Sequence, residues 1–500
     1  MRTNGIFIAV FLAALVAGCA PSKKLTTTEP VPLPPPKPSS PSIPQPIPTP
    51  PEAAMHISVA YPTPGQARPN VDSNFIFGTV GNGDASLAIN GHAVPVAKNG
   101  AFLAFLPMPK NGEYNLTAKH GNDIGSSSFS YGPKEIPKTQ TSSIGEDRQK
   151  FSPPKFATIS KGSDTLQTGN DVAPGATTPD GNREWFFPRG ARLSVVEHDG
   201  KYYKVQLDKT TSAWVADSNI ELTSQDARSN PYSMGEIHSS MLHVDLIFPG
   251  NFDPFQIIAL GSSLRVRTYV TAHTDQSFTS TSDQLISSAG YDSTSGSTDF
   301  IVRMKKPVWG YKAFYMGDGS LRVRIRRPPE IDHNNPLKGI RIMIDPGHPP
   351  AGAIGPTGFT EREANLAEAK KVRDMLVSKG ATVLMTHTAL HGMVSDDNQV
   401  EELAARTKLA VQNDVDLMVS IHNNAFPDGT NPFLNFGTST FYFHSFSAPL
   451  AADLDKEIAA VTGIPNLGAM KKSLAVCRPT WMPCALTESL YLMFPDQESA

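Results

Sequence analysis

Apolar and polar residues follow three rhythms along this chain. Residues 6–16, Ile-Phe-Ile-Ala-Val-Phe-Leu-Ala-Ala-Leu-Val, are one unbroken apolar run. From Met55 to about Pro329, short stretches alternate apolar with polar residues and end in turn signals, as in Ile57-Ser58-Val59, Phe75-Ile76-Phe77-Gly78 and Ser86-Leu87-Ala88-Ile89-Asn90-Gly91. A period of two punctuated by Asn-Gly and Asp-Gly predicts antiparallel strands joined by tight turns. From Lys338 onward the rhythm changes. Residues 339–345, 382–386 and 416–422 are nearly continuous apolar stretches, while Leu366, Ala369, Val372 and Leu376 recur at helical spacing and stop at Gly380. Residues 399–412 predict a second helix, and Leu450, Leu454, Ile458 and Val461 mark a third. Strand and helix in turn make a mainly parallel sheet covered by helices. The chain therefore reads as a multidomain protein, all-β modules followed by one α/β domain.

Composition adds the N-terminal organisation. Five hundred residues suffice for three or four domains of about 100–200 residues each. The balance of 44 Lys plus Arg against 47 Asp plus Glu has no dominant sign, so nucleic acid is not an expected partner. Of the 44 prolines, 13 fall between Pro21 and Pro51, a tract that favours extended polyproline II and reads as a tether over 20–54. The apolar run at 6–16 is too short for a spanning helix, which needs about 20 residues, and fits a signal peptide over 1–19. At its end, Leu15-Val16-Ala17-Gly18-Cys19 resembles the lipobox of bacterial lipoproteins. The resemblance implies acylation of Cys19 and hence a membrane partner through a lipid anchor. Ala20 behind it resembles the sorting preference for the outer membrane, facing the periplasm; a Gram-positive source would put the protein on the cell surface.

The β region divides at a Ser/Thr/Pro-rich linker, 133–154. Residues 55–132 resemble the small immunoglobulin-like modules of bacterial surface proteins. Residues 155–225, with the stretches 190–196, 200–207 and 212–215, resemble the Src-homology-3-like barrels that bind cell walls, where Tyr203 and Trp214 serve either as stacking platforms or as core. Residues 235–330 contain an echo, Leu264-Arg265-Val266-Arg267 and Leu321-Arg322-Val323-Arg324, which puts arginines on one strand face. The position of this stretch before the last domain resembles the wall-targeting domain of cell-wall amidases.

Chemistry concentrates in 338–500. In a parallel sheet, ligands gather beyond the carboxyl ends of the strands. That rule makes neighbours of His348, just past the 340–345 strand, and His422, at the end of the 416–422 strand. Glu361 follows in the loop after His348, immediately before a helix, and so returns to the same edge. Two imidazoles and a carboxylate are the ligand set of a catalytic zinc, although a lone histidine at a strand end is more often hydrogen-bonded structure. Three motifs in order, Ile344-Asp345-Pro346-Gly347-His348, Thr360-Glu361-Arg362-Glu363-Ala364-Asn365-Leu366 and Val419-Ser420-Ile421-His422-Asn423-Asn424, resemble the zinc-dependent N-acetylmuramoyl-L-alanine amidases of the type 3 family.

That resemblance implies a zinc ion on His348, Glu361 and His422, with Glu363 the competitor for the carboxylate position. It also implies peptidoglycan as substrate, cut at the lactyl amide between N-acetylmuramic acid and the L-alanine of the stem peptide. Residues 483–488 resemble the family's last strand, which makes Glu488 the general base. Ser420, Asn423 and Arg478 are candidates for supporting or substrate contacts, and any activator protein is unidentified. The chain departs from the pattern at Pro349-Pro350, where glycines are usual, at His387, where an arginine usually follows Thr386, and in ending twelve residues after Glu488. Cys477 and Cys484 are either a small disulfide loop or two buried thiols. Two rival readings stand beside the amidase: a wall-binding tether whose amidase domain has decayed, and a zinc peptidase acting on stem peptides. Replacing Cys19 by serine is expected to release the protein from membranes, and unchanged membrane fractionation would exclude the anchor.

Overall fold

A computed structural model describes residues 55–134, 148–164, 166, 171–179, 181–224, 236–269, 283–294, 296–349 and 352–499. The signal segment, Cys19 and the proline tether lie outside the described residues. Among the described residues, no helix is long and apolar enough to cross a membrane.

The period of two appears as strands with one buried face. In Glu113–His120, Tyr114, Leu116 and Ala118 are buried and the residues between them are not. They share a core with Ile76, Leu87, Ile89 and Phe102. Residues 55–134 form a three-stranded sheet, Ser58–Tyr61, Ser73–Thr79 and Ala101–Pro107, and a four-stranded sheet running His92–Val94, Ser86–Ile89, Glu113–His120 and Asp123–Ser130.

A seven-stranded antiparallel sheet follows, in the order Arg183–Pro188, Val172–Ala176, Ser212–Ala216, Tyr202–Gln206, Arg192–Asp199, Gln149–Ile159 and Ile220–Thr223. Its strand Gln149–Ile159 begins inside the stretch expected to be linker. Pro153 and Pro154 fall where its register with Arg192–Asp199 breaks, between Lys150 and Lys155, a place where a missing N–H costs no ladder bond. Trp214 is buried and Tyr203 packs against the core of this sheet, so both work as core.

Two four-stranded sheets enclose a single core over 236–326. The arginine echo occupies equivalent strands, Ser263–Thr268 and Leu321–Arg326. Leu264, Val266, Leu321 and Val323 point inward, while Arg265 and Arg267 meet Asp299, and Arg322 and Arg324 meet Asp245. Each arginine pair is thus partly neutralised by a carboxylate from the neighbouring strand.

The α/β domain has six strands in the order Thr382–Met385, Arg341–Pro346, Leu417–Asn424, Cys484–Tyr491, Thr438–Tyr442 and Asn466–Lys471. All neighbours are parallel except Thr438–Tyr442 against Cys484–Tyr491. Alternate residues feed opposite layers, as a strand buried on both faces requires. Ile342, Ile344, Val419 and Ile421 pack under Val372 and Leu376 of helix Glu361–Ser378 and Leu450 and Leu454 of helix Ala448–Thr462. Met343, Met418 and Leu486 pack on the other side with Ala410 and Val411 of helix Gln399–Gln412, and with Trp481. Cys477 and Cys484 lie in this second layer as free buried thiols, and burial pushes the Cys477 thiol up to about 12.

Candidate metal centre

The strand ends bring the three sequence-picked residues together. One donor atom from each of His348, Glu361 and His422 lies within 4.8 Å of the others. Glu361 Oε2 sits 3.0 Å from His348 Nε2, and Oε1 sits 3.1 Å from His422 Nδ1. Glu361 is the first residue of its helix and 5% exposed. The backbone N–H groups of Ala353 and Asn423 donate to it at 2.8 and 3.2 Å. Glu363, the rival carboxylate, is used elsewhere: it accepts the Thr360 N–H at 2.9 Å and closes the capping box of the same helix.

Burial alone would raise the Glu361 carboxyl, but the hydrogen bonds from both histidines and their positive charge hold it far below the usual carboxylate range. Burial pulls His422 down, and Glu361 and Glu488 more than reverse this and raise it. The backbone leaves room only for this cluster. A Cβ on Gly347 would lie 2.4 Å from the His422 ring, and one on Gly352 would lie 2.5 Å from Glu361 Oε2 and 2.7 Å from His348 Nε2. A cradle of two imidazoles and one ionised carboxylate, with glycine backbone pressed against it, suits zinc by donor type and number.

Glu488 stands directly across from His422 in the parallel pair of strands. Its Oε2 is buried with no hydrogen-bond partner among the described residues. Burial, and after it the charge of Glu361, push its carboxyl up to about 7, against the opposing pull of His422 and Lys472.

Arg406 is the residue that the motifs did not reveal. It is 1% exposed in the middle of helix Gln399–Gln412. Its guanidinium donates to Asp345 Oδ1 at 3.2 Å, Pro346 O at 3.0 Å, His348 O at 2.9 Å and Glu402 Oε1 at 3.1 Å. His348 has φ +66°, in the left-handed region that a β-carbon disfavours. Arg406 holds this turn by the His348 and Pro349 carbonyls, so Pro349 in place of the expected glycine does not leave it unsupported. Pro350 lies outside the described residues. Glu402 and Arg406, a charged pair one turn apart on a stripe that also carries Ala410, were the available signal.

The remaining candidates divide by location. Ser420 donates to Asp345 Oδ2 at 2.6 Å, a buried structural bond. Asn423 supports Glu361 through its N–H and bridges Asn365 and Glu368 through its side chain. Burial raises Glu368 to about 7. Arg478 turns away and pairs with Asp164 of the seven-stranded module at 2.9 Å. His387 stands beside Thr386 and outside the three-residue cluster.

Residues 342–500 match the family model described as Amidase_3, N-acetylmuramoyl-L-alanine amidase. The C-terminal domain is a domain of that family. The probable cell wall amidase LytH of Staphylococcus epidermidis is 29% identical over 170 residues, which cover 33% of this chain and 53% of that protein. The N-acetylmuramoyl-L-alanine amidase LytC of Bacillus subtilis is 31% identical over 164 residues, 32% of this chain and 30% of that one. The chain thus spans about half the length, or less, of these curated relatives. The solved catalytic domain of CwlV, an N-acetylmuramoyl-L-alanine amidase from Bacillus (Paenibacillus) polymyxa var. colistinus, is 31% identical, covering 32% of this chain and 85% of that one at a TM-score of 0.28.

Arg406→Met in the amidase domain should cost about 3–5 kcal/mol in chemical denaturation, because Asp345 stays buried without its cation. Arg406→Lys keeps the charge but loses the planar fork. It should fold and bind zinc about 10–100-fold more weakly in a chelator competition; wild-type affinity would show that the fork does not place His348.

Proposed function

We propose that this chain is an exported, lipid-anchored peptidoglycan hydrolase that cleaves the amide between N-acetylmuramic acid and the L-alanine of the stem peptide. The observation that carries the reading is the meeting of His348, Glu361 and His422 opposite Glu488, whose Oε2 has no hydrogen-bond partner among the described residues, inside a domain of the amidase family. The anchor on Cys19, the tether over 20–54 and the β modules over 55–132, 155–225 and 235–330 belong to the same reading, since they would hold the catalytic end at the wall. An outer-membrane lipoprotein facing the periplasm is the arrangement that the Ala20 signal favours.

His348, Glu361 and His422 would hold the zinc ion. Bound there, zinc supplies Lewis-acid polarisation of the scissile carbonyl and acidifies water. Glu361 stays ionised and keeps both imidazoles turned toward one point. Glu488 takes a proton from the attacking water as the new carbon–oxygen bond forms, and returns it to the alanine nitrogen as the carbon–nitrogen bond breaks. A carboxyl with its pKa near 7 suits both halves of that exchange at neutral pH.

Digestion of purified peptidoglycan, read by mass spectrometry, tests the reading. Stem peptides with new L-alanine amino termini should appear with the wild type, disappear with a chelator, and be lost in Glu488→Gln and His422→Ala. Binding without cleavage would favour the decayed tether, and cuts inside the stem peptide would favour a peptidase.

Glu488 also carries a stability signature. Its folded pKa lies above the ordinary carboxylate value of 4.5, so ionisation opposes folding: the cost is absent below pH 4.5 and complete above about 7. Metal-free Glu488→Gln should therefore match the wild type at pH 4 and exceed it at pH 8 by on the order of 1–3 kcal/mol. Equal denaturation midpoints at both pH values would remove the argument for a strained base.

A further inference from the structure

Between His348 and Glu361 the chain folds residues 353–361 into a closed hairpin. Ile354 and Thr360 form a β-bridge, the Gly355 N–H donates to Phe359 O at 2.8 Å, and the Gly358 N–H donates to Gly355 O at 3.0 Å. At its base Ala353 and Glu361 bond twice: the Ala353 N–H reaches Glu361 Oε2 and the Glu361 N–H reaches Ala353 O, both at 2.8 Å. The backbone of this hairpin therefore sets where the Glu361 carboxylate points.

A carboxylate distant in sequence holds the tip of the hairpin. Glu498 ends the short helix Pro495–Glu498. Its Oε1 accepts the Thr357 N–H at 3.0 Å and the Thr357 hydroxyl at 2.8 Å, and its Oε2 accepts the same N–H at 3.3 Å. The Phe359 backbone bonds to it as well. A Cβ on Gly355 would push this carboxylate aside, so a glycine is what admits it to the tip.

The helix that carries Glu498 is seated on the first β module. Tyr491, Met493 and Phe494, which lead into it from the Glu488 strand, share a cluster with Phe75, Phe77 and Leu103 of that module, and Ile354 of the hairpin packs against the same cluster. Gln497 Oε1 accepts the Tyr491 N–H at 2.8 Å, and Asn99 Nδ2 donates to Ser499 Oγ at 3.0 Å. Next to Phe75 in its strand, the fully buried Asn74 clamps Asp428 of the α/β domain, Nδ2 to Oδ1 at 2.6 Å. Close packing of this kind resists displacement, so Glu498 is a fixed point for the hairpin rather than a swinging surface charge.

We propose that Glu498 is a positioning residue for the metal centre: by holding Thr357 it fixes the hairpin that presents the Glu361 carboxylate to His348 and His422. The inference rests on the reading of those three residues as zinc ligands. Glu361 must meet two imidazoles at once, one on each oxygen, at 3.0 and 3.1 Å. A hairpin free to swing at its tip would lose one of them, and partners that orient a ligand from outside set metal affinity. The first β module then contributes to the metal centre itself, because it carries the seat of Glu498.

The test uses the full chain with Glu498→Ala, Glu498→Gln and Thr357→Val. Zinc affinity is read by chelator competition, and ligand geometry by the visible bands of the cobalt(II)-loaded protein. Glu498→Ala should bind zinc about tenfold more weakly and shift the cobalt bands. Glu498→Gln keeps an acceptor for Thr357 and should restore both wild-type affinity and wild-type bands. Unchanged affinity and bands in Glu498→Ala, with or without a lower denaturation midpoint, would overturn the proposal. Should Glu498→Ala fail to fold, Thr357→Val at its exposed site decides: a smaller loss of affinity with shifted bands upholds the contact, and wild-type values overturn it. A wild type that binds neither metal removes the zinc reading itself, and this inference with it.

Discussion

Asp345 is a carboxylate with no access to water, and the way its charge is satisfied organises the end of the sheet where the candidate site lies. It accepts the Thr386 hydroxyl at 2.7 Å, the Ser420 hydroxyl at 2.6 Å and the Arg406 guanidinium at 3.2 Å. These partners come from both flanking strands and from the helix beneath them. One charge therefore sets the strand ends level with each other, and its cation reaches on to the carbonyls that orient His348. An uncompensated charge here would cost several kcal/mol, so the arrangement tolerates little slack, which is what a preorganised site requires.

From that level edge, environment gives two glutamates opposite characters. Glu361 lies among two imidazoles and two backbone N–H groups and stays ionised. Glu488, one strand over, has one oxygen without a partner and holds its proton up to about neutrality. Carboxyls whose surroundings drive their pKa values apart suit a division of labour between holding a cation and moving a proton.

The β modules are joined to the α/β domain by polar pairs in which at least one partner is buried. Asn74 meets Asp428, Arg478 meets Asp164, and Arg326 meets Asp416 at 2.8 Å. A buried polar group needs its partner, so these contacts fix how each module sits. They also explain why Arg478, a candidate for a supporting or substrate contact, serves a domain junction instead.

The sequence by itself determined the alternation of strand and helix, the inward faces of the β modules, and the meeting of His348, Glu361 and His422, because local periodicity and the strand-end rule depend on neighbours close in the chain. It did not separate Glu361 from Glu363 by chemistry; the capping box did, by engaging Glu363. Arg406, the Asn74–Asp428 clamp and the turned-away Arg478 were decided only by the tertiary structure. Their partners lie 61, 354 and 314 positions away, and the strength of a buried polar contact comes from the water that folding removes around it, which no stretch of sequence displays.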